Sequence, residues 1–198
     1  RALGLGDHPV LLFVARIQPL KGLPVAVGAL AELHRPDAEL VVVGGPSGLE
    51  GDHELQHVLD LADHLGVRHQ IRFVPPQPHH LLSTYYRAAD VVLVPSRSES
   101  FGLVALEAAA CGVPVVAAAV GGLRTLIDDG RTGFLVEQRE APAFAAAVRA
   151  LLADPAFAVR MGADAAERAR GYTWSTAAAR LRRVYADLTR RALVDCVA

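Results

Sequence analysis

Short runs rich in β-branched residues alternate along this chain with longer segments of helical pattern. Such alternation is typical of βαβ units, whose strands are buried in a parallel sheet. Six strands are predicted, at Val10–Ala15, Glu39–Val43, Ile71–Val74, Asp90–Val94, Val115–Ala118 and Gly133–Val136. Helices are predicted between them, at about Leu23–Leu33, Glu54–Leu65, His79–Ala88, Phe101–Cys111, Leu123–Asp128 and Pro142–Leu152. The pattern favours an α/β fold, a Rossmann-like doubly wound parallel sheet of six strands, whose ligands bind beyond the carboxyl ends of the strands.

The whole chain, residues 1–198, is expected to form a single domain. Its length and its hydrophobic content of 52% allow one large core. Two further helices, at about Ala156–Arg168 and Trp174–Leu193, follow the last predicted strand. We expect these helices to pack across the domain rather than to extend the sheet.

The charge of the chain argues against polyanionic partners. A formal net charge of -1 provides no basic field for nucleic acid or an anionic membrane, so phosphate recognition must be local. The longest uncharged stretch, Ala108–Gly122, contains Gly and Pro and is too short to span a bilayer. Cys111 and Cys196 lack metal-ligand and CxxC spacing, which suits reduced thiols. We therefore expect a cytoplasmic protein with a small-molecule partner, no bound metal and no membrane span; a homodimer stays open.

Two cations follow the first predicted strand. Arg16 comes directly after it, and Lys21 precedes Gly22 at the predicted start of the next helix. A helix N-terminus offers free N–H groups and a positive dipole end, and two cations there suit a diphosphate better than one. Lys21 is the only lysine among the 20 Lys and Arg residues, which indicates a site that requires a compact ammonium group. The alternative is a pair of solvated surface charges.

Two carboxylates, Glu99 and Glu107, bracket the start of the fourth predicted helix. Glu107 lies in an otherwise apolar stretch, where a carboxylate is costly without a partner. The vicinal hydroxyls of a ribose would serve as that partner. The residues between the carboxylates place helix-start N–H groups where they can hold a phosphate or a sugar hydroxyl: Phe101, Gly102, Leu103 and Val104. The alternative is that Glu99 only caps the helix and that Glu107 pairs with a core arginine.

The remaining strand ends give weaker signals. No GxGxxG motif follows the first strand, which argues against a nicotinamide dehydrogenase. The glycine-rich turn Gly44–Gly48 lets backbone approach a ligand closely, although a plain tight turn explains it equally well. The stiff loop Pro75–Pro78 follows Val74 and contains Gln77; it either forms a wall for a flat base or simply ends the strand.

Three of these motifs and a fourth that follows them together resemble the C-terminal domain of retaining GT-B glycosyltransferases of the GT4 family, over essentially the whole chain. The three are Arg16-x4-Lys21-Gly22, the turn Gly44–Gly48 and Glu99-x7-Glu107, and the fourth is Gly112-x-Pro114-x-Val116. The resemblance implies the C-terminal half of a GT-B fold, a nucleotide-diphosphate sugar as donor and no cofactor. It also implies an N-terminal acceptor-binding domain outside these 198 residues. This chain alone is then expected to bind donor without transferring sugar.

The resemblance also implies a role for each motif residue. Arg16 and Lys21 would bind the donor diphosphate and neutralise the leaving group. Glu99 would contact hydroxyls of the transferred hexose, and Glu107 would hold the ribose hydroxyls. The backbone at Phe101, Gly102, Leu103 and Val104 would contact the sugar and the β-phosphate, and Val74 and Gln77 would contact the base. Transfer would proceed with retention of the anomeric configuration.

Two stretches, Arg16–Lys21 and Pro95–Glu107, are most similar to one branch of the family. That branch transfers N-acetylglucosamine from UDP-N-acetylglucosamine to an inositol phosphate in mycothiol biosynthesis. Two departures stand out: Ala15 replaces the usual glycine, and Gln77 replaces the arginine that this branch tends to place against uracil. The alternatives are a GT4 transferase with another donor or acceptor and a non-catalytic nucleotide-sugar-binding module.

Overall fold

The computed structural model of the chain describes Gly4 and residues 6–194, without the side chains of 191–194. Its strands are β1 (Val10–Val14), β2 (Glu39–Val43), β3 (Ile71–Val74), β4 (Val91–Val94), β5 (Val115–Ala118) and β6 (Phe134–Val136). Its helices are α1 (Leu23–Leu33), α2 (Gly48–His64), α3 (His79–Ala88), α4 (Leu103–Ala110), α5 (Leu123–Leu126), α6 (Ala141–Ala153), α7 (Pro155–Ala169) and α8 (Trp174–Val194). Short 3-10 helices lie at Pro19–Lys21 and Arg68–Gln70.

All six strands form one parallel sheet, in the order β3-β2-β1-β4-β5-β6. The α/β fold and the doubly wound sheet that the sequence predicts are therefore confirmed. The order reverses between β1 and β4, which pair through Leu11 with Val91 and Leu12 with Val92. In open parallel sheets, ligands bind beyond the carboxyl ends of the strands at such a reversal. This geometry directs attention to the loops that follow β1 and β4.

The period of two in β1 divides its side chains between two hydrophobic cores. Leu11 and Phe13 pack in the core that contains residues of α1 and α6. Val10 and Leu12 pack in the core that contains Tyr86 of α3 and residues of α4. Because helices cover both faces of the sheet, its strands are apolar at nearly every position, which is the pattern that predicted them.

Two predicted helix starts were wrong. The sequence placed the start of the second helix at Glu54, but α2 begins at Gly48, after Ser47. The sequence placed the start of the fourth helix at Phe101, but α4 begins at Leu103. Gly102 has φ 97°, in the left-handed region that an α-helix does not use, so helical geometry begins only after it.

The last two helices differ in how they contact the rest of the domain. α7 packs against α4 and α6, whereas α8 exposes much of its apolar surface. Trp174 is 91% exposed, and three further apolar side chains of α8 are about half exposed: Leu181, Val184 and Leu188. In the described part of the chain, no single helix is long and apolar enough to cross a membrane; α6 and α7 meet that test only as a pair bent by 104°. Cys111 is a free thiol, and Cys196 lies outside the described residues.

Candidate functional site

The loops after β1 and β4 touch each other at the reversal of strand order. The backbone N–H of Arg97 donates a hydrogen bond to the carbonyl of Leu20, at 2.8 Å. Gly22 has φ 74°, and a Cβ at that position would lie 2.3 Å from the carbonyl oxygen of Pro95. Only glycine fits there, because any side chain would push the two loops apart. The contact fixes the residues on both loops relative to each other.

Lys21 and Glu99 are brought together by this contact. The Lys21 ammonium donates a hydrogen bond to Glu99 Oε2 at 2.8 Å, although the two residues are 78 positions apart. Their side chains are 24% and 19% exposed, so the pair is reachable from solvent. Lys21 ends the 3-10 helix that precedes α1, rather than starting α1 itself. The structure thus joins a member of the predicted cation pair to a member of the predicted carboxylate pair.

Positive charge exceeds negative charge around this contact. Arg16 is exposed, and no acidic side chain of the described residues lies within ion-pair distance of it. Arg139, after β6, donates to the carbonyl of Pro95 at 3.4 Å. Burial lowers the pKa of Arg139, and the positive charge of Arg97 lowers it further. The sequence analysis missed Arg97 and Arg139, although both lie just after a predicted strand and could have been selected for that reason. The excess of positive charge favours the binding of an anion.

The start of α4 forms another wall of the site. Its first N–H groups have no partner within the helix, so they are available to a ligand. Among the predicted backbone contacts, Phe101 and Leu103 are exposed and Val104 is half-buried. The Phe101 ring packs edge-on against Tyr172, with ring centroids 5.9 Å apart. This contact holds the segment just before α4 against the segment that leads into α8.

The loop after β5 supports the Glu99 backbone from behind. The N–H of Gly122 donates to the carbonyl of Glu99 at 2.9 Å. Gly121 has φ 47°, and a Cβ there would lie 2.0 Å from the same carbonyl oxygen. The sequence analysis did not select this Gly-Gly pair, although it closely follows a predicted strand. Its absence of side chains lets the β5 loop fix the position of Glu99.

Glu107 has two partners that the sequence analysis did not foresee. Tyr86 donates its hydroxyl hydrogen to Glu107 Oε2 at 2.7 Å. His79 Nε2 lies 3.0 Å from Glu107 Oε1. The alternative prediction, that Glu107 pairs with a core arginine, is wrong for the described residues. The Glu107 carboxylate is held instead by the buried phenol of Tyr86 and the exposed imidazole of His79. The Glu107 side chain is 27% exposed and can still reach a ligand.

The remaining predicted site residues, Val74 and Gln77, lie at the end of β3 and in the loop after it. Gln77 donates its side-chain amide to the carbonyl of Pro75 at 2.9 Å, so its side chain folds back on its own loop. Val74 is half-buried and accepts a hydrogen bond from the N–H of Gly44 at 3.0 Å. A Cβ at Gly44 would lie 1.8 Å from the carbonyl oxygen of Ala15. The glycine there is required by the adjacent backbone after β1, which accounts for it without a ligand.

Comparison with known proteins supports one family. The chain matches the family model described as "Glycosyl transferases group 1" over residues 2–168. D-inositol 3-phosphate glycosyltransferase of Frankia alni is 50% identical over 190 residues, which cover 92% of this chain and 46% of that relative. The chain spans about half the length of the curated relatives it matches.

Two solved structures share the fold. Sucrose-phosphate synthase of Thermosynechococcus elongatus superposes with a TM-score of 0.87 at 36% identity, covering 96% of this chain and 48% of that one. HepE of Anabaena, solved in complex with UDP-glucose, superposes with a TM-score of 0.79 at 27% identity, covering 85% of this chain and 45% of that one. In both proteins the matched region is about half of the chain.

Replacing Gly121 by alanine tests the support behind Glu99. The substitution should lower the free energy of unfolding, because the new Cβ meets the Glu99 carbonyl at 2.0 Å. Gly130→Ala is the matched control, since Gly130 has φ 75° and nothing within 4 Å of its Cβ position. We expect the control to cost about 1–2 kcal/mol from the backbone alone, and Gly121→Ala to cost about 1–3 kcal/mol more. If urea denaturation showed that both variants lose the same free energy of unfolding, the β5 loop would not support the Glu99 backbone as described.

Proposed function

We propose that this chain, which belongs to the group 1 glycosyl transferases, binds the nucleotide-sugar donor of a retaining glycosyltransferase. The observation that carries the proposal is the Lys21–Glu99 pair, held at the reversal of strand order within a surplus of positive charge. A diphosphate needs cations, and a hexose needs a hydrogen-bond acceptor close to them. One pair of side chains at this position can meet both needs.

Arg16 and Lys21 are the proposed ligands of the diphosphate. Arg16 is exposed and unpaired among the described residues, so a phosphate does not have to displace a partner from it. Lys21 is paired with Glu99, and a bound diphosphate would share that ammonium with the carboxylate. The positive charge of Arg97 and Arg139 adds to the field at the same place. This charge compensates the donor without a metal ion, so we expect binding to need none.

Glu99 and the start of α4 are proposed to bind the transferred sugar. Glu99 Oε2 accepts from Lys21, which leaves Oε1 of the carboxylate to accept from sugar hydroxyls. The N–H groups of Leu103 and Val104 in the first turn of α4 are proposed to bind the β-phosphate or a sugar hydroxyl, together with the backbone of Phe101 and the buried Gly102 just before the helix. The β5 loop fixes the Glu99 backbone, so this part of the site is formed before the donor arrives.

Glu107, Val74 and Gln77 are proposed to bind the nucleoside. Glu107 Oε1 is at the solvent side, where the exposed His79 reaches it, so a ribose hydroxyl can take the same position. The base would lie against the loop after β3. The Gln77 amide would have to leave the Pro75 carbonyl to contact it. The UDP-glucose bound to HepE supports uridine as the nucleoside.

The proposed reaction breaks the bond between C1 of the sugar and the β-phosphate oxygen. A bond from C1 to an acceptor hydroxyl oxygen forms on the same face, so the configuration is retained, and the hydroxyl proton passes to the departing phosphate oxygen. Negative charge grows on the departing diphosphate during this step. Arg16 and Lys21 would stabilise that charge, Lys21 from the position in which Glu99 holds it.

The donor and the acceptor are proposed from the relatives. The name of the Frankia alni relative, D-inositol 3-phosphate glycosyltransferase, supports an inositol phosphate as acceptor. A place in mycothiol biosynthesis is proposed from the resemblance of Arg16–Lys21 and Pro95–Glu107 to that branch of the family. We propose UDP-N-acetylglucosamine as donor and the cytoplasm as location. Because the chain spans about half of such relatives, we expect the acceptor to bind to a further domain. This chain alone should then bind donor without transferring sugar.

Calorimetric titration tests the proposal directly. The chain is titrated with UDP, UDP-N-acetylglucosamine, GDP and NAD, without added metal. We expect the two uridine ligands to bind and the other two not to bind. Binding of GDP alone would keep the glycosyltransferase proposal but change the base. If circular dichroism shows that the chain is folded and none of the four ligands binds, the proposed donor site is wrong.

Replacing Lys21 by alanine tests the diphosphate role. The variant should bind UDP about tenfold or more weakly, because a charge-assisted contact to phosphate is lost, and it should bind uridine within about twofold of the unchanged chain. Arg35→Ala is the matched control, since it removes the cation of another ion pair, with Asp37, before β2. Equal weakening of UDP and uridine would remove Lys21 from this role.

Replacing Glu107 by alanine tests the ribose role. The unchanged chain should prefer UDP over 2′,3′-dideoxy-UDP by about tenfold, because two hydroxyl contacts are missing from the analogue. The variant should bind both ligands alike. Calorimetry with the two nucleotides measures the ratio, and a preserved preference for UDP would exclude Glu107 as the ribose ligand.

A further inference from the structure

The two oxygens of Glu107 lie in different surroundings. Oε2 accepts the hydroxyl hydrogen of Tyr86 at 2.7 Å, and Tyr86 is only 1% exposed. Oε1 is contacted by His79, whose side chain is 83% exposed. One oxygen is therefore fixed from inside the protein, while the other is reached from solvent.

Tyr86, which donates the hydrogen bond to Glu107 Oε2, is held in place by the core around it. Tyr86 packs in the core on one face of the sheet with apolar residues such as Leu12, Val92 and Ala105. A buried aromatic ring in such a core has one position, and its hydroxyl is aimed at Glu107. Burial, and then the adjacent negative charge of Glu107, raise the pKa of Tyr86 above its ordinary value. The phenol therefore stays protonated and remains a donor.

Glu107 needs such a partner if it is to recognise a ligand with one geometry. It is on the second turn of α4 and carries three rotatable side-chain bonds, so an unrestrained carboxylate would sample several positions. A fixed acceptor loses less conformational entropy on binding than a mobile one. The Tyr86 hydrogen bond supplies that restraint at one oxygen only.

We propose that Tyr86 is a positioning residue for donor recognition: by holding Glu107 Oε2, it presents Glu107 Oε1 to the ribose hydroxyls. The inference rests on the proposed ribose role of Glu107. It adds a residue that contacts no part of the donor and acts only through the carboxylate. If Tyr86 had only a structural role, its replacement would lower the stability of the fold but would leave the preference of the chain for UDP over 2′,3′-dideoxy-UDP unchanged.

Tyr86→Phe removes only the hydroxyl group and keeps the ring in the core. We expect UDP to bind about fivefold more weakly, and 2′,3′-dideoxy-UDP to bind within about twofold of the unchanged chain. Tyr85→Phe is the matched control, since Tyr85 is the neighbour on α3 and its hydroxyl has no hydrogen bond among the described residues. The control should leave both affinities unchanged. Equal weakening of both nucleotides by Tyr86→Phe would overturn the inference.

A double variant tests whether Tyr86 acts through Glu107. In a chain that already carries Glu107→Ala, adding Tyr86→Phe should change the affinity for UDP by less than about twofold. An additional fivefold loss in that background would overturn the inference, because Tyr86 would then act independently of the carboxylate. The two affinities are compared by calorimetry on chains whose thermal unfolding is cooperative.

Glu107→Gln gives a second measurement that leaves Tyr86 in place. The carbonyl oxygen of the new side-chain amide should accept from Tyr86, which directs the amide NH2 group towards the ribose. The NH2 group can donate to the ribose hydroxyl oxygens, but this neutral contact is weaker than that of a carboxylate, so the preference for UDP over its dideoxy analogue should fall from about tenfold to about threefold or less. If the variant keeps the full preference, the ribose is not recognised by a fixed carboxylate oxygen, and the inference is overturned even if Tyr86→Phe does not fold.

The two proposals fail in different ways. If the unchanged chain does not distinguish UDP from 2′,3′-dideoxy-UDP, the ribose role of Glu107 is wrong, and the role of Tyr86 falls with it. If the unchanged chain distinguishes them and Tyr86→Phe does so equally well, only the role of Tyr86 is wrong.

Discussion

The contact between the loops after β1 and β4 is the constraint on which the site depends. Two parallel strands that are adjacent in the sheet but far apart in sequence end side by side, and Gly22 lets their loops touch at Pro95. Without that approach, Lys21 and Glu99 would belong to separate loops with no fixed separation. The sheet topology thus brings the two loops close together, and the absence of a side chain at Gly22 lets them touch.

The same contact concentrates charge in a chain that is nearly neutral overall. The formal net charge is -1, yet four cations lie on the three loops that follow β1, β4 and β6: Arg16, Lys21, Arg97 and Arg139. Burial disfavours the charged form of Arg139 and lowers its pKa, and repulsion from Arg97 lowers the pKa further. A bound anion would offset both effects. A site of this kind gains stability when a diphosphate binds, which links its electrostatics to the proposed ligand.

The sequence predicted the sheet well and the details of the site less well, for physical reasons. Strands buried on both faces are apolar at nearly every position, so all six could be located from local pattern. The predicted start of α4 was wrong because the helix begins only after Gly102, whose backbone has a left-handed conformation. Tyr86 could not be assigned, since its importance comes from a contact with Glu107, on another helix. The position of Arg139 after a predicted strand could have marked it as near the site, but its contact with Pro95 could not be predicted. Spacing along the chain carries no record of such pairs.

The two carboxylates of the predicted motif are held in opposite ways, and this difference has a consequence for binding. Glu99 is held by an ammonium group that is itself a proposed ligand of the diphosphate, so donor binding must redistribute that charge. Glu107 is held by a buried neutral phenol that no ligand reaches. A neutral donor restrains one oxygen of the carboxylate without placing a positive charge beside it, while the other oxygen contacts the exposed His79. At the proposed nucleoside end, donor binding would therefore displace an exposed imidazole and the Gln77 amide, whereas at the proposed diphosphate end it would redistribute the charge of an existing ion pair.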